Sequence, residues 1–296
     1  MITVRLMGGM GNQMFQYALA RHLAEKNNTT VQIDTNYLTD RTPRPHFVFR
    51  DYDLDIFNIN ATIVNNILPG NKWADKLFLF YKKLQNKLLI ENKFEFIASY
   101  LQKPDGTYIY YGYYQSYKYF EAVANTIRQD FTFKAPILEA SLPLLENILN
   151  TPSVCVNVRR TDFVQHSNLY NKTYLCERDY YERALKILLF KVQKPHLYIF
   201  SDEPEWCKEN LLFDLPVTYI GHEHKGHKFG NYLNLMSMCK HFIIPNSSFA
   251  WWAAWLSGSH TVIAPHTWLM DGRSHKLSDI YPPHWHTIPN NTEAMI

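Results

Sequence analysis

Hydrophobic and polar positions along the chain alternate between strand-like and helix-like spacing almost from the first residue. "ITVRL" reads as a buried strand, "MGGMGNQ" as a Gly-rich turn, and "MFQYALARHLAEKNN" as a helix that stops at Asn27 and Asn28. "TVQIDT" is the next strand. From about residue 36 to residue 101 the pattern is less regular and reads as mostly helical. "TYIYYGYY" returns as a strand. Two helical segments follow, "SYKYFEAVANTIRQDF" and "PILEASLPLLENILN", the second interrupted by Pro143.

The second half alternates more cleanly. "SVCVNV", "HLYIFS", "VTYI", "HFIIP" and "TVIAP" read as strands. Between them "YYERALKILLFKV", "EPEWCKENL", "NYLNLMSMCK" and "SSFAWWAAWLSG" read as helices. A βαβα series of this kind implies a parallel sheet covered by helices. The 296 residues suit two such domains. The expected boundary lies at residues 151–152, giving α/β domains of 1–151 and 152–296 that face each other across a cleft.

Bulk composition narrows the function classes. Hydrophobic residues make up 46% and charged residues 19%, as in a globular chain, and the net charge of +3 provides no global basic field for nucleic acid. The scattered cysteines Cys155, Cys176, Cys207 and Cys239 form no C-x-x-C pair and are expected as free buried thiols, which suits a reducing, cytoplasmic setting. No apolar run approaches the ~20 residues of a membrane span. One segment, "NKWADKLFLFYKKLQNKLLIENK", is amphipathic: Trp73, Leu77, Phe80, Leu84 and Leu88 share a stripe, with Lys72, Lys76, Lys83 and Lys87 on an adjoining line and Lys82 nearby. The expected arrangement is a core helix with its stripe packed inward. The alternative is a helix lying on an anionic membrane surface.

In open α/β sheets ligands bind beyond the carboxyl ends of the strands, where four polar clusters fall. In "NVRRTD", Asn157 and Arg159 share a strand face, and Arg159 and Arg160 emerge at the tip. Paired guanidinium donors suit a phosphate, and a local ion pair with Asp162 is the plainer alternative. In "GGMGNQ", Gly9, Gly11, Asn12 and Gln13 open a helix. This either admits an anion close to the backbone or is simply a tight turn. Asp202 and Glu205 of "FSDEPEW" have the spacing of a capping box, while a carboxylate at that tip would also suit a ribose or guanine edge. Asn246, Ser247 and Ser248 precede a helix whose Trp251, Trp252 and Trp255 read as packing residues; the serines can cap the helix or bind a phosphate. His222, His224 and His227 of "GHEHKGH" lack a nearby cysteine and read as a mobile, solvated loop rather than a metal site.

In this order, "GGMGNQMFQYALA", "RDYDLDIFNI", "YYGYYQ", "VNVRRTDF", "FSDEPEWCKENL" and "LMSMCKHFIIPNSSFAWWAAWL" resemble the bacterial α-1,2-fucosyltransferases of glycosyltransferase family 11 over nearly the whole chain. The resemblance implies a GT-B-like enzyme. It would move L-fucose from GDP-β-L-fucose to the 2-hydroxyl of a terminal β-galactose, for example on an O-antigen oligosaccharide. Inversion at the anomeric carbon, no metal and no cofactor are implied, with GDP-fucose a substrate. The resemblance gives Arg159 the diphosphate contact, with Arg160 in support; Asp162 is the obvious carboxylate for a catalytic base, and the alternative is that it only orients Arg160. Gly9, Gly11, Asn12 and Gln13 would approach the diphosphate and fucose. Asn157, Asp202, Asn246, Ser247 and Ser248 complete the donor set. The C-terminal domain would bind the donor and the N-terminal domain the acceptor. Partners are GDP-fucose and a galactose-terminated oligosaccharide, with no nucleic acid and a peripheral contact with the inner membrane as an option.

The chain departs from the family pattern at four places. Asn157 stands for a His, Tyr111 for a His before "GY", and Ala250 for a Ser. Tyr232 stands for an Asp, so that guanine or ribose recognition is expected to pass to Asn231 or Asn234. Two other classes stay open: an NAD-dependent oxidoreductase using Gly9, Gly11 and Asp34, which Met14 in the third glycine position opposes, and a non-catalytic glycan-binding protein.

Overall fold

The apolar opening run forms strand β1 (Ile2–Arg5), and the glycines after it release the chain into helix α1 (Met10–Lys26). The computed structural model describes residues 1–43, 48–65, 67–160, 175–269 and 275–291. Helix α1 contains no β-branched residue and is buried on nearly every side; Met14, Phe15, Ala18 and Leu19 are fully enclosed. It ends where Asn27 donates from both its backbone and its side chain to the Leu23 carbonyl and Asn28 turns left-handed at φ 48°.

The elements that follow in the first unit, Met1–Lys134, are β2 (Val31–Asp34), α2 (Asn36–Thr39), β3 (Ala61–Val64), α3 (Lys72–Leu84), β4 (Leu88–Ile90), β5 (Tyr108–Tyr111) and α4 (Ala124–Asp130). Its sheet runs β3-β2-β1-β5-β4, all parallel. The stretch expected to be mostly helical therefore supplies two edge strands, β3 and β4. The amphipathic helix stops at Leu84, so Lys87 and Leu88 lie beyond it.

The second unit, Ala135–Ile296, starts with α5 (Leu142–Asn150) and continues through β6 (Ser153–Val158), α6 (Arg178–Leu189), β7 (His196–Ser201), α7 (Pro204–Asn210), β8 (Val217–Ile220), α8 (Gly230–Ser237), β9 (His241–Ile243), α9 (Ser248–Ser257), β10 (Val262–Pro265), α10 (Leu277–Ile280) and β11 (His286–Ile288). The six strands are parallel in the order β11-β10-β9-β6-β7-β8. All of β6 is buried, which explains its unbroken apolar reading. The α9 tryptophans pack as expected: Trp251 and Trp252 are fully buried, and Trp251 Nε1 donates to the Ile280 carbonyl at 3.0 Å.

Two parallel-sheet α/β units make the GT-B-like architecture. They divide after Lys134 rather than at residues 151–152. The reason is local: α5 and the turn before it belong to the second sheet. Lys240 Nζ donates to the Leu149 and Thr151 carbonyls, and Asn231 bonds both Leu138 N–H and Ser141 Oγ. Pro143 does not interrupt α5 but sits in its first turn, where a missing N–H costs nothing.

Candidate functional site

The strand order fixes where each unit can hold a ligand. In the second unit the chain builds β6, β7 and β8 outward on one side, then crosses to place β9, β10 and β11 on the other. Strand order therefore reverses between β6 and β9, and the carboxyl ends on either side of that point form the natural crevice of an open sheet. Arg159 and Arg160 follow β6, and residues 246–248 follow β9.

The parallel register pairs Val158 with Ser201, so the residues just beyond each strand also lie side by side. Asp202 braces both arginines. Its Oδ1 accepts the Arg160 backbone N–H at 3.0 Å, and its Oδ2 lies 3.5 Å from Arg159 Nε. Glu203 Oε2 accepts from Arg160 Nε at 3.2 Å, and the Arg160 guanidinium lies 3.7 Å from the centroid of the Trp206 ring. Held by Nε and by its flat face, Arg160 keeps both Nη groups without a partner among the described residues. That edge presents two parallel donors, the geometry that suits a phosphate.

The capping-box expectation at Asp202 fails here. The N-cap of α7 is Glu203, with no side-chain cap. Ser201 Oγ accepts the Glu203 N–H at 2.9 Å, Pro204 opens the helix, and Glu205 pairs with Lys208. Nearby, burial pushes the Cys207 thiol up to about 11, which keeps it protonated and inert. All four cysteines are free and buried.

Across the reversal, Ser247 is the N-cap of α9 and its side chain accepts from Ala250 N–H at 3.5 Å; Ser248 begins the helix, and Asn246 is buried just before it. The positive end of a ten-residue helix thus opens there. Asn157 is nearly enclosed and donates from Nδ2 to the Phe200 carbonyl at 3.2 Å, so its amide ties β6 to β7. Asp162 lies outside the described residues.

The two asparagines of α8 separate clearly. Asn231 accepts from Leu138 N–H and donates to Ser141 Oγ and the His224 carbonyl, so its side chain is engaged inside the unit. Asn234 Oδ1 is buried with no hydrogen-bond partner among the described residues. Tyr232 donates to the Ile220 and Gly221 carbonyls. The "GHEHKGH" segment is solvent-exposed or half-exposed throughout, as expected, and its backbone forms short helical turns: His222 reaches the Ser201 carbonyl, and His224 Nδ1 lies 2.9 Å from Ser141 Oγ. Among the described residues no group of three or more His, Cys, Asp or Glu converges as a metal site would.

In the first unit the strand order reverses between β1 and β5. The turn after β1 needs its glycines. Gly8 has φ +75°, and a Cβ there would fall 2.6 Å from Asn12 Nδ2 and 3.0 Å from the Tyr113 ring. Gly9 is the N-cap of α1, contributes no side chain, and leaves a Cβ position 4.0 Å from Arg50 Nε; Gly11 is buried in the first turn. Asn12 Oδ1 accepts from Gln115 Nε2 at 2.5 Å. Gln13 is fully buried: Nε2 donates to the Gly8 and Asp51 carbonyls at 2.9 and 2.7 Å, and Oε1 accepts Asp53 N–H at 2.9 Å. Gln16 accepts Met7 N–H and donates to the Gly112 carbonyl, tying the turn after β1 to the turn after β5. The structure thus groups Gly9, Gly11, Asn12 and Gln13 in one unit, and Asn157, Arg159, Arg160, Asp202, Asn246, Ser247 and Ser248 in the other.

Glu203, Trp206, Arg50 and Gln115 were not singled out from sequence. Glu203 and Trp206 fall within a segment that reads as a plain helix start, and only the β6–β7 register reveals their use. The buried Asp34 is not available to a ribose: it accepts from Arg5 Nε at 2.8 Å, from Asn36 N–H at 2.9 Å and from the Tyr108 hydroxyl. Burial also holds the Tyr108 hydroxyl well above its usual range, so it stays a donor to that carboxylate. The dinucleotide reading loses its acidic residue.

The family model for glycosyl transferase family 11 matches residues 1–289. The chain is 31% identical to an α-1,2-colitosyltransferase of Escherichia coli, covering 90% of this chain and 92% of that protein. It is 26% identical to the O-antigen biosynthesis glycosyltransferase WbnK of Escherichia coli, with 92% and 96% covered. It is 24% identical to galactoside α-(1,2)-fucosyltransferase 2 of Bos taurus, with 100% and 81% covered.

Proposed function

Because the chain belongs to glycosyl transferase family 11, we propose that it moves L-fucose from GDP-β-L-fucose to the 2-hydroxyl of a terminal β-galactose on an O-antigen-type oligosaccharide in the cytoplasm. The observation that carries the reading is the pair of arginines at the reversal of the second sheet, with Arg160 held by Glu203 and Trp206 so that its Nη groups have no partner among the described residues.

In this reading the second unit holds the donor and the first the acceptor. The galactose 2-oxygen attacks the fucose anomeric carbon as the bond to the diphosphate oxygen breaks. The electron pair leaves with GDP, and the anomeric centre inverts from β to α. Negative charge grows on the departing diphosphate. Arg159, Arg160 and the N-terminus of α9, with Ser247 and Ser248, answer it with fixed positive charge and donors, and no metal is required. The proton of the attacking hydroxyl passes to a carboxylate, assigned in this proposal to Asp162.

A donor panel with a β-galactoside acceptor tests the proposal. Turnover of GDP-fucose to an α-1,2-linked product, undiminished in excess EDTA, is the expected result. Activity lost on chelation and restored by Mn²⁺ or Mg²⁺ would overturn the metal-free mechanism. A second reading is favoured by the 31% identity to the colitosyltransferase: preferential use of GDP-colitose would replace fucose while leaving the arginine site and linkage intact.

A further inference from the structure

Helix α3 faces the wrong way for a core helix. At 100° per residue, Trp73, Leu77, Phe80, Tyr81 and Leu84 fall within about 100° of arc. This apolar stripe points to solvent: Trp73 is 82% exposed, Leu77 69% and Leu84 68%. The opposite side is the one that packs. The Phe78 ring centre lies 6.2 Å from that of Tyr108, Lys82 Nζ donates to the Gly106 carbonyl at 2.8 Å, and Asp75 accepts Gly70 N–H at 3.0 Å. No residue of α3 is buried. The expected inward packing of the stripe is therefore overturned, and a contiguous apolar ridge with aromatic rings is left uncovered by the described residues, which a water-facing helix does not need.

Its charge pattern says what the ridge fits. Lys76, Lys83 and Lys72 lie along one flank of the stripe, roughly 100–140° from Leu77. The helix's one carboxylate, Asp75, is on the inner side. Among the described residues none of these three lysines has a carboxylate partner. Lys76 Nζ instead lies 5.7 Å from the Trp73 ring centre. We propose that α3 is a docking surface for an anionic lipid bilayer, lying in the plane of the interface with Trp73, Leu77, Phe80 and Leu84 below the headgroups and the lysine line among the lipid phosphates. Amphipathic interfacial helices have this form, and snorkelling lysines beside inserted apolar side chains have this use. A second copy fits less well: an antiparallel two-fold pairing of the stripes brings the two lysine lines onto the same side. No helix among the described residues is long and apolar enough to cross a membrane, so the contact is peripheral.

Co-sedimentation of the whole protein with phosphatidylcholine vesicles, with and without phosphatidylglycerol, tests this without any substrate and so independently of the donor assignment. Binding is expected only with phosphatidylglycerol and should fade with added salt. Lys72/Lys76/Lys83→Glu should lower the partition coefficient by roughly a hundredfold or more. Leu77→Ser with Leu84→Ser should lower it by at least roughly tenfold. Unchanged melting temperature and unchanged turnover of a free oligosaccharide acceptor establish that these surface variants are folded. No sedimentation with phosphatidylglycerol at low salt, equal binding to neutral vesicles, or binding indifferent to both variants would overturn the proposal. So would a dimer in sedimentation velocity that Leu77→Ser abolishes, since that assigns the ridge to a second copy.

Discussion

Replacing Arg159 by Ala separates a catalytic arginine from one that only braces the fold. Arg159 Nε lies 3.5 Å from Asp202 Oδ2, and its side chain is one-third exposed. Bare Coulomb attraction at that distance is about 5 kcal/mol at an effective dielectric of about 20. Desolvation, side-chain ordering and salt reduce such partly exposed pairs to about 1 kcal/mol or less in stability. The unfolding free energy should therefore fall by no more than about 1 kcal/mol. The departing diphosphate poses a different demand, because charge that appears only in the transition state is answered by a donor already in place. Loss of one such donor costs ~10²–10³ in rate, or about 2.7–4 kcal/mol of barrier. The expected signature is a hundredfold or greater loss of kcat with a small change in melting temperature. Arg159→Lys should rescue little, since a point charge lacks the planar fork. Steady-state kinetics with GDP-fucose and a thermal melt on the same preparations give both numbers. A kcat within about fivefold of the parent, or a melting loss large enough to account for the activity loss, would refute the assignment.

The same preparations support two further tests. Gln13→Ala removes a fully buried amide bonded to the Gly8 and Asp51 carbonyls and to Asp53 N–H. It should cost about 2–4 kcal/mol in chemical denaturation, and stability unchanged within error would show that Gln13 does not anchor the 51–53 segment. For pH, burial lowers the pKa of His196, and burial with Lys240 lowers that of His241, whose Nδ1 is enclosed without a partner among the described residues. The unfolded chain then binds more protons than the folded one, so their contribution is present above the ordinary histidine value of about 6.5 and is lost as pH falls through the depressed folded value. Melting temperature should decline on acidification below about 6.5, and His241→Asn should flatten that slope; an unchanged slope in the variant removes His241 from the account.

How much of this was legible in the sequence depended on burial. β6, β7, β9 and β10 sit inside the second sheet and are apolar on both faces, so their runs stand out. β3 lies at an edge with Ile63 half exposed, β4 holds a single buried residue, and β11 is three residues long. None carries a period that propensity can detect. The α3 stripe had the opposite fate. Its pattern was read correctly as far as Leu84, with Lys87 and Leu88 wrongly included, but amphipathic spacing states only that two faces of a helix differ, not which one packs. At the site, Arg159 and Arg160 were recognisable because two permanent charges at a strand tip are chemically unusual. Their pairing was not, since Asp202, read as a helix cap or a ribose contact, and Glu203, not singled out, reach them only through a strand register set across some forty residues of chain.

The same physics explains why the candidate site reads as scattered motifs. In the second unit residues 159–160 and 246–248 are far apart in sequence, yet each follows a strand bordering the point where the strand order reverses. In the first unit residues 8–13 follow β1, while Gly112, Tyr113 and Gln115 follow β5 across the corresponding reversal. Side chains close that gap directly, through Gln16 to the Gly112 carbonyl and Gln115 to Asn12. A parallel sheet points every carboxyl end the same way, and only at a reversal do the crossover connections diverge and leave the strand tips uncovered. Glycines, arginines and helix-capping serines separated along the chain are thereby gathered at the two places where a parallel sheet can admit a ligand to its edge. A tight-turn reading of "GGMGNQ" and an anion-site reading of the same residues are then not rivals. The φ +75° turn at Gly8 and the anchored Gln13 are what hold the N-terminus of α1 at the open end of the sheet.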